Sequence, residues 1–143
     1  MKIVDANVLL YAVNRDSARH ESARRWLDAS LGEAESIGFA WIVLLAFLRL
    51  STRRDLFDRP LNTDQALEVV QGWLGAPLAT VVHPTSRHLE VLAGLLAPFG
   101  SAANLVNDAH LAALAVEHGA TVVSFDRDLS RFPGVRFEEP PAG

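Results

Sequence analysis

The apolar positions of this chain follow two alternating rhythms. Short unbroken apolar runs mark strands, and stretches with apolar residues three and four apart mark helices. "KIVD" (2–5) is the first such run, and residues 6–13 make a short helix after it. Ser17 stands as an N-cap ahead of a helix that carries Ala23, Trp26, Leu27 and Leu31 at helical spacing. "ESIGFA" (35–40) reads as a second strand or a turn. Residues 40–54, "AWIVLLAFLRLSTRR", are too long for a strand and too short for a membrane span, so they read as a buried helix with a basic end. "RPLNTDQ" (59–65) supplies a proline and a cap, Asn62 or Thr63, for a helix with Ala66, Val69, Val70 and Trp73 on one face. "LATVVHP" (78–84) is a strand closed by Pro84, and Thr85 caps a helix with Leu89, Leu92 and Leu96 in register. After a loop at 99–104, residues 105–118 form a helix striped by Ala109, Ala112, Ala113 and Val116 and stopped by Gly119. "TVVSF" (121–125) and "VRFEE" (135–139) are the last two strands.

Strands that alternate with helices predict an α/β domain with a mostly parallel central sheet flanked by helices. Neither a repeat nor a linker interrupts the alternation, so residues 1–143 read as one domain with a short Pro-rich tail at 140–143. In sheets of this kind ligands gather beyond the carboxyl ends of the strands. That rim is where chemistry is expected.

Composition narrows the choice of chemistry. Cysteine is absent, which excludes disulfides and thiolate metal sites. No basic segment precedes an apolar one at the start, so neither a signal peptide nor a membrane span is expected, and a cytoplasmic location is the simplest reading. The net charge of −4, from 13 basic and 17 acidic residues, argues against a broad nonspecific nucleic-acid coat. It leaves open a nuclease that gathers carboxylates at its centre, because bound cations reverse the local sign. All basic residues but Lys2 are arginine, the side chain suited to phosphate and carboxylate, although genome composition accounts for the bias equally well.

Two predicted strands end on acid, the first at Asp5 and the fourth at Asp126, and Asp108 lies near the start of the helix leading into the fourth. Strand ends and helix starts share a rim in α/β units, so three acids distant in sequence can meet in one cleft. Clustered carboxylates repel one another and persist where a cation neutralises them. An all-oxygen set points to Mg²⁺ or Mn²⁺, which can support in-line cleavage of a phosphodiester. Each acid also has a plain structural explanation: Asp5 and Asp126 as caps, Asp108 as a charge favoured at a helix N-terminus. Only their combination favours the metal site.

On these residues the chain resembles the PIN domains, in particular the VapC-type toxin ribonucleases of bacterial toxin–antitoxin pairs. "IVDANVLLYA", "WIVLLAFLRLST", "RPLNTDQALEVVQGWL", "VVHPTSRHLEVLAGLL" and "NLVNDAHLAALAVEHGATVVSFDRDLSRFPGVRFEEP" carry the resemblance in order along nearly the whole chain. It implies an endoribonuclease using Mg²⁺ or Mn²⁺, with Asp5, Asp108 and Asp126 as catalytic metal-site acids. Asn7 would buttress Asp5 or bind a water there, Ser124 occupies a position often held by a hydroxyl residue, and Asp128 is an extra carboxylate near the same rim. It further implies an RNA substrate and a VapB-type antitoxin, and the apolar helices near 41–50 and 66–74 leave room for a homodimer or an antitoxin groove. One position departs from the pattern: Ala46 stands where such toxins commonly carry Glu. That loss motivates an alternative, a PIN-like module that binds RNA or antitoxin with weakened catalysis. It also leaves Arg49, three residues on, without a local partner and able to reach toward substrate phosphate or an antitoxin carboxylate, or simply to serve as a C-terminal helix cation.

The five histidines show no ligand spacing and read as surface or structural residues, and the three tryptophans as core or partner contacts. Arginines fall in groups at 15–25, 49–54 and 127–131, of which a subset could track an RNA backbone.

Overall fold

The computed structural model describes residues 1–32 and 35–142. Five strands, β1 (Lys2–Val4), β2 (Ile37–Ala40), β3 (Ala79–Val82), β4 (Thr121–Val123) and β5 (Arg136–Glu138), form one sheet in the order β3-β2-β1-β4-β5. Every pairing is parallel, with Ile3 opposite Gly38 on one side and Val122 on the other. Six helices connect and flank them: α1 (Ala6–Val13), α2 (His20–Gly32), α3 (Trp41–Ser51), α4 (Thr63–Leu74), α5 (His88–Leu96) and α6 (Val106–Glu117). None is long and apolar enough to cross a membrane.

The strand order has a functional consequence. From β1 the chain builds outward through β2 to β3, then returns to the other side of β1 for β4 and β5. The direction of growth therefore switches between β1 and β4. Connections leave that junction in opposite directions, opening a crevice beyond the strand ends. Asp5 follows β1 and Asp126 lies shortly after β4, so both acids stand at this switch point.

The core is built from strand residues buried on both faces and from helix stripes pressed on them. Ile3, Val4, Ile37, Phe39, Val122 and Val123 are essentially inaccessible, as expected for parallel strands covered on both sides. Trp73 of α4 stacks on Phe39 at 6.2 Å and meets Phe47 of α3 edge to face at 4.8 Å, joining sheet and two helices in one aromatic seam. Gly38 has a packing reason: a Cβ there would lie 3.0 Å from both Ile3 and Val82 side chains. Gly119 adopts φ +62° just past the end of α6, the left-handed conformation that terminates a helix.

Several local expectations change. Asn62, not Thr63, caps α4, because its side chain accepts from the Gln65 amide while the Gln65 side chain accepts from the Asn62 amide. Ser17 does not cap α2: its hydroxyl accepts from the Arg19 amide within a turn, and the helix begins only at His20. Thr85 likewise forms a turn, accepting from the Arg87 amide, and spends its own proton on Glu117. Leu89 is 78% exposed, and Leu95 rather than Leu89 anchors α5. Val116 is exposed while Leu111, Leu114 and Ala115 are buried, because α6 is enclosed on several sides rather than along one stripe. The loop at 99–104 runs into a 3₁₀ turn, Ala103–Leu105, that leads directly into α6.

Candidate active site

The crevice at the switch point is organised by one hydroxyl. Ser124, fully buried just beyond β4, donates to Asp5 Oδ2 at 2.7 Å. Its oxygen accepts from Asn7 Nδ2 at 3.0 Å and from the Asp126 amide at 2.9 Å. One donor and two acceptor positions are all a hydroxyl offers, so Ser124 is saturated and holds its neighbours rather than facing a ligand. Asn7 completes the frame by accepting from the Phe125 amide at 3.1 Å. The Asp5 amide donates to the Val123 carbonyl at 2.9 Å. The end of β1 and the end of β4 are thereby locked together through Asp5, Asn7, Ser124 and Asp126.

Capping and ligation prove compatible in these acids. Asp5 Oδ1 accepts from the Ala6 amide at 2.7 Å and starts α1. Asp126 Oδ1 accepts from the Asp128 amide at 2.9 Å and starts the 3₁₀ turn Arg127–Arg131. A carboxylate has about four lone-pair positions, so each cap leaves acceptor capacity over. Asp108 sits in the first turn of α6 and is half-buried.

The charges at this rim are uncompensated. Burial, followed by the negative charges of Asp5, Asp126 and Asp128, pushes the Asp108 carboxyl up to about 6, opposed by the positive charge of Arg131. Burial also raises Asp5, opposed by its bonds from Ser124 and Ala6, with Asp126 adding to the rise. Among the described residues, none of Asp5, Asp108 and Asp126 forms an ion pair. A hard divalent cation is the natural neutraliser of such an oxygen-only set. The set is open rather than closed: among the described residues, no three His, Asp or Glu side chains converge tightly enough to enclose an ion by themselves. Mg²⁺ tolerates this, because it keeps several of its waters and binds through one or two carboxylates plus substrate phosphate.

Asp128 thus shares the electrostatic field of the three acids, although its side chain is exposed and directed to Arg131 at 3.9 Å. Arg49 is exposed in the last turn of α3 and has no hydrogen bond or ion pair to the acids among the described residues. Ala46 is half-buried on α3, a helix that packs against the Asp5-capped α1.

Residues 2–135 match the family model of the PIN domain. The chain is 58% identical over 142 residues to ribonuclease VapC37 of Mycobacterium tuberculosis, covering 99% of each protein. This chain belongs to the VapC ribonucleases of the PIN-domain family. Typically, ribonucleases of the PIN family depend on a metal ion. Among solved structures, the fold is shared with VapBC2 from Rickettsia felis bound to a promoter DNA fragment, at TM-score 0.72 and 17% identity over 96% of this chain and 97% of that one. It is shared too with the sarcin-ricin-loop-cleaving toxin VapC20 of M. tuberculosis, at TM-score 0.67 and 23% identity over 95% and 99% of the two chains.

Two groups, one beside this VapC crevice and one toward the far end of α6, were not singled out by sequence reasoning. Tyr11 and Phe125 meet edge to face at 5.4 Å, with the Arg19 guanidinium over both rings. No spacing signal links residues from α1, a turn and the end of β4. His88, His110 and Glu117 form a hydrogen-bonded chain between α5 and α6. Its one legible hint is that His110 and Glu117 lie two helical turns apart on the same face of α6.

Proposed function

We propose that this protein cleaves RNA endonucleolytically at the Asp5–Asp108–Asp126 crevice with Mg²⁺ or Mn²⁺. The observation that supports this most is the uncompensated carboxylate field at the β1/β4 switch point, which lifts Asp108 to about 6. When bound, a divalent cation supplies Lewis-acid stabilisation of the phosphate and acidifies water at neutral pH. The chain's own contribution is placement. Asp5 and Asp126 are held by Ser124, by their backbone caps and by the Asn7 frame, so they need little reorganisation when charge develops. Asp108 reaches the same rim from α6 and must be ionised to act as a ligand, which ties metal affinity to pH. In this reading Ser124 and Asn7 are positioning residues, and Asp128 enlarges the negative field.

The protein acts as the toxin of a pair in the cytoplasm, restrained by a VapB-type antitoxin and forming a homodimer. Solved relatives include a toxin–antitoxin assembly, and the exposed Trp41, Leu45 and Leu67 provide apolar surface for partner contacts. Incubation of purified protein with RNA should give cleavage that depends on Mg²⁺ or Mn²⁺ and stops with chelator. Asp5→Asn should lose it; cleavage by that variant at the wild-type rate would sink the mechanism. Ala46 favours a second reading, a binding module with weakened catalysis, which requires that the wild type fail to bind Mn²⁺ and that Ala46→Glu restore binding.

A further inference from the structure

A cavity of about 780 Å³ opens beside the acidic crevice and shares Asp126 with it. Arg19, Ser22, Phe125 and Arg127 line it, and the C-terminal segment from Glu139 to Ala142 forms its far wall. That wall is fastened to the body of the protein: Ser22 Oγ donates to the Pro141 carbonyl at 2.5 Å, and Arg127 donates to Glu139 at 3.1 Å.

The two arginines of this cavity are in different states. Arg127 is committed to Glu139. Arg19 forms no side-chain hydrogen bond or ion pair among the described residues. Its guanidinium carbon lies 5.1 Å from the Phe125 ring centroid and 5.8 Å from that of Tyr11. A guanidinium resting on aromatic faces keeps its in-plane N–H fork available, and the rings limit the orientations it can adopt. Such a fork matches the oxygens of a phosphate or carboxylate. A free acidic ligand would be repelled by Asp126 and Glu139 in the same walls. A phosphate that arrives as part of a chain whose neighbouring phosphate sits at the acidic centre is carried past that repulsion.

We propose that this cavity seats the RNA strand adjacent to the bond that is cut, with Arg19 binding the phosphate next to the scissile one. The inference rests on RNA cleavage at the Asp5–Asp108–Asp126 centre. Arg19 is a substrate-binding residue in this arrangement, and Phe125 and Tyr11 are positioning residues for it.

The test uses full-length protein in an Asp5→Asn background, which prevents cutting, and a fluorescein-labelled single-stranded RNA dodecamer of mixed sequence. Anisotropy titrations run from about 50 to about 200 mM salt, the range over which phosphate contacts are most visible. Arg19→Ala should weaken binding about tenfold, and the slope of log affinity against log salt should fall by about 0.7, the value for one lost phosphate contact to a single strand. Arg19→Lys should retain part of both, having the charge without the fork. Arg136→Ala is the control: Arg136 opens β5, at the opposite end of the strands from Asp126, and its guanidinium donates to the Gly119 carbonyl. In the cleaving background, Arg19→Ala should raise KM about tenfold with kcat and Mn²⁺ affinity unchanged. Unaltered binding and KM in Arg19→Ala, or an equal loss in Arg136→Ala, would overturn the subsite while leaving cleavage at the crevice standing. A wild type that cuts no RNA under any metal would overturn the functional reading, and the subsite with it.

Discussion

Helix α6 carries a polar cluster at each end, and the two are opposite in character. At its first turn Asp108 faces the charges of Asp5, Asp126 and Asp128, and its carboxyl is lifted to about 6. At its last residue Glu117 has a solvent-inaccessible side chain, yet its carboxyl is held below the ordinary value of 4.5. Burial alone would raise Glu117; the Thr85 hydroxyl at 2.7 Å, the Thr85 amide at 2.9 Å and His88 Nδ1 at 2.5 Å outweigh it. His88 Nε2 in turn shares a hydrogen bond with His110 Nδ1 at 2.9 Å, extending the chain from the carboxylate to α6. Burial and the neighbouring His88 hold His110 below its ordinary value of 6.5. The same residue class on the same helix is therefore satisfied at one end and frustrated at the other. The satisfied end fastens the start of α5 to α6. Under the proposed function, the frustrated end, which the protein's own groups do not relieve, is where an external cation and a phosphate would bind.

The sharpest break in this contrast is Asp5→Asn. It should cut RNA cleavage by at least about a hundredfold, since metal-assisted stabilisation contributes several kcal/mol. The fold should survive, because an amide oxygen still accepts from Ala6. Glu117→Leu tests the other end. It should destabilise the protein by about 1–3 kcal/mol in a denaturant titration, by stranding the Thr85 amide and His88, and leave Mn²⁺ binding intact. A loss of metal binding there would mean that the two clusters are not separable.

Acid should act on the two ends in opposite senses. Asp108 is raised from 3.8 to about 6 in the folded, metal-free protein, so its favourable contribution is full below pH 3.8 and disappears as pH rises through 6. Glu117 and His110 are lowered from 4.5 and 6.5, so their contributions are full above those values and disappear as pH falls below them. Asp108→Asn should therefore raise the melting temperature of metal-free protein at pH 7.5 and have no such benefit at pH 4. Excess Mg²⁺ at pH 7.5 should abolish the advantage by stabilising only the wild type. Ala46→Glu adds a carboxylate to α3 and should raise Mn²⁺ affinity several-fold, measured by calorimetry. The smallest effect belongs to Leu89→Gln, within about 0.5 kcal/mol, because so exposed a side chain packs on neither cluster.

Much of the fold is legible in the chain because strands and helices differ in apolar rhythm. All five strands appear at the expected runs, each shorter than the run because the parallel ladder ends where the chain turns away. Helix ends are legible where the signal is covalently local, as at Asn62 with Gln65 and at Gly119. Ser17 and Thr85 mislead for the same reason: a hydroxyl ahead of a helix serves a turn as readily as a cap, and the intervening backbone decides. Leu89 misleads because periodicity identifies an apolar stripe without saying what covers it. In the crevice, the residue types and the strand-end positions of the acids are visible in the sequence, and their adjacency follows once the strand order puts β1 beside β4. The Ser124 frame, the aromatic seat of Arg19 and the Glu117–His88–His110 chain have no such local trace. Each joins residues from different elements through hydrogen bonds or ring faces, interactions that depend on distances of a few ångströms. The sequence by itself determined the alternation of elements and which carboxylates stand at strand ends and helix starts, because those depend on neighbours along the chain. Only the tertiary structure decided which carboxylates are relieved and which remain in mutual repulsion, because that balance is set by partners brought together across the fold.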